Sequence, residues 1–298
     1  MRVLISGATG FIGSALAAHV KAAGHDVAAL TRHPRSPQDI AWDPAAGRID
    51  AERLEGFDAV VHLAGESLAK GRWSPARKQQ MRASRVDATA LLARTLAARA
   101  RRPGVLVSAS AVGIYGDRGD QPLDESSTTG AGFLSDLARD WEAAAGPAEA
   151  AGIRVVHPRL GLVLDPAGGA LEPLLPMARL GLGGPLGSGR QWWSWVTRDD
   201  VIRALAFLIE DPRMTGPVNV VAPGAVRQRE FARMLGRVLH RPAFVPAPAF
   251  ALALMLGEMA DAMLLAGQHV HPARLSTAGF AFRDPALEPA FRRLLGPS

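Results

Sequence analysis

The chain has 298 residues, 48% of them hydrophobic, which suffices for a large buried core in one big domain or two unequal ones. It contains no cysteine, which excludes a disulfide framework, a thiolate metal site and a thiol nucleophile. The formal charge of +6 rests on arginines scattered among acids, with no block of like charge, so the composition argues against nucleic acid as a partner and suits small anionic ligands.

Val3, Leu4 and Ile5 form a short apolar run of buried-strand type, followed at once by Gly7, Gly10 and Gly13. A helix-period stripe of Ile12, Leu16, Ala17 and Val20 then runs to a glycine stop at Gly24, and residues 27–30 read as a second strand. Strand, glycine turn, helix and strand make the first half of a dinucleotide-binding fold: glycines let backbone approach a pyrophosphate whose charge sits on the helix N-terminus. The first strand uses the N-terminal apolar residues, and Glu258 and Asp261 follow the apolar residues 247–256 too closely for a membrane span. The expectation is a cytoplasmic protein with no membrane partner.

The Gly-x-x-Gly-x-x-Gly spacing resembles the short-chain dehydrogenase/reductase superfamily in its extended, epimerase-like branch. That resemblance implies that Gly7, Thr9, Gly10, Phe11, Ile12 and Gly13 hold a dinucleotide. At the end of the second strand an NAD site usually carries Asp or Glu for the ribose 2′-hydroxyl, whereas a 2′-phosphate wants a guanidinium. Thr31, Arg32 and Arg35 stand there, so the expected cofactor is NADP.

Residues 58–65 read as the next buried strand, and Leu63, Ala64 and Gly65 resemble the strand end that flanks the cofactor in this superfamily. His62, embedded in that strand, reads as a packed residue. Glu66 just beyond is a candidate substrate contact, Trp73-Ser74-Pro75 is a natural helix start, and residues 86–100 suit a long crossover helix. Leu-Ala-Gly-Glu-Ser, Arg-Trp-Ser and Ser84-Arg85-Val86 narrow the resemblance to an atypical, epimerase-like subfamily of extended members.

Residues 105–116 resemble the strand and loop Ser-Ser-Ala-x-x-Tyr-Gly of extended members, in which a Ser or Thr hydrogen-bonds the reacting oxygen. Residue by residue, that role falls to Ser110, with Ser108 beside the cofactor on the strand behind it. The family's Tyr-x-x-x-Lys pair does not follow. Phe133 and Leu137 stand at the matching places, Tyr115 is the only tyrosine, and no lysine occurs after Lys78, so the usual proton-transfer dyad is excluded by composition. Glu66, Asp117, Glu125, Glu142 and bound water are the open candidates for a proton donor.

Residues 153–156 read as a further parallel strand, and Arg159 lies in a passage resembling the one where extended members leave the cofactor domain. Residues 183–191 are too glycine-dense for regular structure. Trp192, Trp193 and Trp195 follow directly and would supply a flat apolar surface for a substrate, or else bury a domain junction. Asp199 and Asp200 begin the next helix and read as structural. Residues 217–221 are the last strand, residues 227–239 a helix, and an apolar helix is expected to end near Leu265. His269 and His271 lack a third ligand, so no metal is expected.

The reading is an α/β protein: a doubly wound parallel Rossmann sheet over residues 1–165 and 198–222, with a smaller C-terminal substrate domain over residues 166–197 and 223–298. The expected function is that of an NADP-binding oxidoreductase or epimerase acting on a small sugar-like or acyl/carbonyl substrate without the usual dyad. A non-catalytic NADP-binding sensor or regulatory protein is the alternative. A monomer and a homodimer both remain open.

Overall fold

The computed structural model describes residues 1–69 and 71–296. Its main sheet grows from β1 (Arg2–Ser6), which pairs in parallel with β2 (Asp26–Thr31) on one side and β5 (Ala59–His62) on the other. Beyond β2 lie parallel β3 (Ile40–Asp43) and antiparallel β4 (Arg48–Ile49). Beyond β5 lie β6 (Val105–Ser108) and the strands Arg154–Leu160 and Gly216–Val220, all parallel. The short β7 (Ser110–Ala111) pairs with the carboxyl end of Arg154–Leu160. Chain order therefore reverses between β1 and β5, and the crevice at the carboxyl ends of those two strands is where such a sheet accepts a ligand.

Alternation along β1 explains why helices cover both faces. Val3 and Ile5 point into a core shared with Leu16 and Val20 of α1 (Phe11–Ala22) and with Leu205 and Leu208 of the helix Arg198–Glu210. Leu4 points the opposite way, against Leu92 and Leu96 of α3 (Ala88–Ala97). All three β1 side chains are fully buried, each contributing on the order of 1.5–3 kcal/mol relative to exposure. Consecutive apolar residues through the middle of the strand, Val3 to Ile5, are what a sheet covered on both faces requires.

α3 does not begin at residue 86 as the apolar pattern suggests. It continues α2 (Pro75–Arg82), whose N-cap Ser74 accepts from Arg77 N–H at 3.2 Å, through a wide π-turn over Ala83–Asp87. α4 (Phe133–Ala143) packs beside that turn.

A second core lies off the sheet. Leu164, Leu171, Leu175, Trp193 and Trp195 meet Phe231, Leu235 and Phe291 there, bringing together segments on either side of the helix Arg198–Glu210. Buried Asp200 ties that helix to the C-terminal segment, accepting from the backbone N–H of Arg283 at 2.8 Å and of Asp284 at 2.9 Å. The apolar C-terminal stretch is not one helix to Leu265. The helix Ala249–Leu256 stops at Gly257, where φ is +63°, and a separate turn follows over Ala260–Leu265.

Candidate functional site

Two cavities open at the carboxyl end of the sheet and meet at the glycine turn. One, of about 760 Å³, is lined by Gly7 to Gly10, Thr31 and Arg32, the β3 end from Trp42 to Ala45, and Ala64 to Glu66. The other, of about 580 Å³, shares Gly7, Gly10, Leu63 and Gly65 with it and runs past Ser110 and α4 to Trp192 and Trp193. A long bipartite ligand fits this arrangement, with its centre over the turn.

The three glycines do different work. Gly7 has φ +70°, and a Cβ on it would sit 3.0 Å from Ala64 N at the end of β5. A Cβ on Gly13 would lie 2.1 Å from the Gly7 carbonyl oxygen, so α1 can approach the turn only without one. Gly10 caps α1 with no side-chain hydrogen bond, and the first turn carries no acid, which leaves its N–H groups free for an anion. This is a cradle for a pyrophosphate.

At the end of β2, Thr31 and Arg32 line the larger cavity, but Arg35 does not. The Arg35 backbone is instead drawn into a turn in which Asp39 accepts from the N–H groups of Ala29, Arg35 and Ser36. Glu66, expected at the substrate, lines this cavity as well and pairs with Arg77 at 3.3 Å. Ser108 lines neither cavity; it is fully buried on β6.

His62 is likewise buried and structural. Ser6 Oγ accepts from the N–H groups of Leu63 and Ala64, so its hydrogen is given to His62 Nδ1, 2.6 Å away. Burial, with Arg85 nearby, pulls the imidazole down to about 4, so the ring is neutral at physiological pH.

Ser110 faces the smaller cavity and donates to Glu142 Oε1 at 2.7 Å. Arg159 grips Glu142 through both oxygens, Nε to Oε1 and Nη2 to Oε2, each at 2.8 Å. Its remaining Nη1 donates to the Tyr115 hydroxyl at 2.9 Å, and that hydroxyl donates to Asn219 Oδ1 at 2.8 Å. Arg159, expected at the cofactor, lines neither cavity and spends three of its five N–H donors on Glu142 and Tyr115. Tyr115 is fully buried, and burial pushes its hydroxyl up although Arg159 opposes the shift. Glu142 thus accepts at both oxygens, from Ser110 and from Arg159.

α4 presents Leu134, Leu137, Ala138 and Trp141 to the cavity. Phe133 turns away onto Trp73, with ring centroids 5.3 Å apart, and lies under Lys78 Nζ at 4.9 Å. Of the two positions read from the sequence, Leu137 faces the cavity and Phe133 does not. The i, i+4 pairs that do face the cavity are Leu134 with Ala138, one residue along, and Leu137 with Trp141. Neither the Leu134 nor the Ala138 side chain carries a proton to transfer.

The tryptophan cluster divides. Trp192 and Trp193 line the cavity, whereas Trp195 is buried in the second core with its Nε1 donating to Gly224 O at 2.7 Å. Trp192 does not offer an open face: His269 stacks on it at 3.8 Å and Arg227 lies over it at 4.2 Å. Asp117 lies apart from this cavity, and Glu125 spends one oxygen on the N–H groups of Asn219 and Arg274. Among the carboxylates considered from the sequence, Glu142 alone touches Ser110.

Sequence reasoning missed the α2–α3 turn and the C-terminal wall, where Arg85, Ala262, Met263 and Gln268 line the smaller cavity. No metal-type cluster of His, Asp and Glu exists among the described residues, and no described helix is long and apolar enough to cross a membrane.

Comparison with known proteins gives two family matches: the NAD-dependent epimerase/dehydratase family over residues 3–222, and a domain of unknown function over residues 247–294. An epimerase family protein of Mycobacterium bovis is 44% identical over 283 residues, covering 94% of this chain and 93% of the relative. One of Bacillus subtilis is 35% identical, with 99% and 98% covered. Human epimerase family protein SDR39U1 (isoform 2), crystallised with NADPH, superimposes with a TM-score of 0.90 at 36% identity, covering 99% of both chains.

Proposed function

The chain belongs to the NAD-dependent epimerase/dehydratase family, and from that premise we propose that it is an NADP-dependent oxidoreductase of the extended short-chain type, acting on a small carbonyl or carbinol compound without a Tyr/Lys dyad. The observation that carries this reading is the pair of cavities meeting at a glycine turn, with Arg32 at one end and Ser110 at the other. The human relative crystallised with NADPH supports the cofactor choice. The adenosine half belongs in the larger cavity, the pyrophosphate over Gly10 and the α1 N-terminus, and the nicotinamide in the smaller cavity, where it would exchange a hydride.

The protein's own contribution is proton handling and exclusion of water. With its hydrogen given to Glu142, Ser110 Oγ turns lone pairs toward the cavity and accepts from a substrate hydroxyl. A proton leaving that hydroxyl passes to Ser110 Oγ as the serine hydrogen moves to Glu142 Oε1. The reverse transfer delivers a proton to a reduced oxygen. Arg159 holds the carboxylate in register. Leu134, Leu137, Ala138 and Trp141 keep the wall dry.

The wall of α4 also favours a second reading, a protein that binds NADP and senses it without chemistry, since Leu134 and Ala138 offer no proton. Incubation with NADPH and a panel of aldehydes, ketones, 2-oxo acids and nucleotide sugars, followed at 340 nm, separates the two. Oxidation of NADPH by any compound, lost in Ser110→Ala, supports the enzyme. Tight NADPH binding with no oxidation across the panel supports the sensor.

A further inference from the structure

Arg85 is 9% exposed and lines the smaller cavity, where it is the one charged residue among those described. Much of the cavity wall it shares is apolar: Leu63, Leu68, Leu137 and Met263 lie there with Trp141, whose ring is 5.2 Å from the guanidinium carbon. No carboxylate pairs with it among the described residues. Its hydrogen bonds are long and come from Nη1 alone, 3.4 Å to Met81 O and 3.5 Å to Ser84 Oγ.

A buried cation with no carboxylate in direct contact is expensive, and burial pulls this guanidinium down to about 10 although Glu66 opposes the shift, which still leaves it charged near neutral pH. Two local features hold it in place. It stands on the π-turn of Ala83–Asp87, a distortion that re-aims side chains and recurs at functional sites. Gly65 makes room for it, since a Cβ there would lie 3.3 Å from the guanidinium carbon.

A planar fork of donors in an apolar chamber is built for a planar anion. We propose that Arg85 is the specificity-determining residue of the smaller cavity and pairs with the carboxylate of an apolar organic acid, its aromatic or aliphatic body lying along the Leu137, Trp141 and Met263 wall. This deepens the oxidoreductase reading and rests on it for the hydride: the substrate class becomes a hydroxy or oxo acid with a hydrophobic body. The other source of an anion is the cofactor's own pyrophosphate, and the test separates the two.

The experiment uses the full chain, free and saturated with NADPH, and isosteric probe pairs: phenylacetate against phenylacetamide, and hexanoate against hexanamide. Affinities are read by ligand-observed NMR, and NADPH affinity is measured separately. The expected result is acid binding at least tenfold tighter than amide. Arg85→Met erases that ratio with NADPH affinity within twofold of the parent, and Arg85→Lys keeps part of it. Equal binding of acid and amide by the parent protein overturns the proposal whether or not any variant folds. So does a Met variant that loses NADPH tenfold while keeping the acid preference, because Arg85 would then serve the pyrophosphate. If NADPH does not bind, the cofactor reading fails, and the acid-to-amide ratio on the free protein still decides the role of Arg85.

Discussion

Ser110 gives its hydroxyl hydrogen to Glu142 over 2.7 Å, while Arg159 holds the same carboxylate by both oxygens. A serine in this position therefore accepts from the cavity before it donates. Under the proposed function, a serine backed by a clamped carboxylate would take the place of the family's serine and tyrosine. The consequence is a split between two variants. Ser110→Ala removes one hydroxyl and should reduce turnover by roughly 10²-fold with little change in stability. Glu142→Gln leaves the buried Arg159 without its counter-charge and should lower stability by about 3–5 kcal/mol as well. Steady-state kinetics beside urea unfolding checks both, and unchanged turnover in Ser110→Ala would remove the relay.

The glycine turn makes a graded prediction. Alanine at Gly13 places a Cβ 2.1 Å from Gly7 O, whereas alanine at Gly10 meets that oxygen at 3.1 Å. Overpacking of this kind costs about 1–3 kcal/mol or more. Gly13→Ala should therefore be clearly the less stable of the two in urea denaturation, and equal midpoints would show that the turn relaxes freely.

Cofactor choice rests on Arg32. Removing a charge-assisted bond to a 2′-phosphate costs about 1.5–3 kcal/mol, so Arg32→Ala should reduce the NADPH-over-NADH affinity ratio by more than tenfold. Arg35→Ala should leave the ratio unchanged, because Arg35 does not line the cavity. Fluorescence titration with both nucleotides measures this, and a ratio insensitive to Arg32 would send the assignment elsewhere in the cavity.

Acid stability carries the signature of His62. Its folded value is pulled down to about 4 from an ordinary 6.5. Between those values the unfolded chain binds a proton that the folded chain does not, so stability falls as pH drops from 6.5 to 4 and this loss levels off below. The shift amounts to about 3 kcal/mol at most. Burial also lowers His157, which adds to the same limb. In His62→Asn, whose amide oxygen can still accept from Ser6, the melting temperature should fall less between pH 7 and pH 5 than in the parent. Parallel curves would mean that other groups set the acid limb.

Much of this site was written in local pattern. The three glycines, the strand before them and the helix after them are contiguous, so their spacing is enough to place a pyrophosphate cradle. The absence of a dyad was a matter of counting one tyrosine and three lysines. What local pattern could not supply was the direction of each side chain. Arg159 was read as a cofactor contact and is turned toward Glu142 and Tyr115; Trp195 was read beside Trp192 and lies buried in the second core. Arg85 drew notice only as part of a resemblance, because a polar helix gives no sign of which arginine will face inward.

The amino-acid sequence by itself determined the fold class and the cradle, since both follow from short-range periodicity and from a glycine spacing in which Gly10 and Gly13 pack on Gly7 within the same turn. Only the tertiary structure decided the chemistry of the smaller cavity. Ser110 and Glu142 are 32 residues apart. The π-turn that carries Arg85 is seen only in the folded helix, and α4 shows its Leu134 and Ala138 face only once it packs. Charge and proton position in this protein depend on which side chains become desolvated together, and desolvation is a property of the packed molecule.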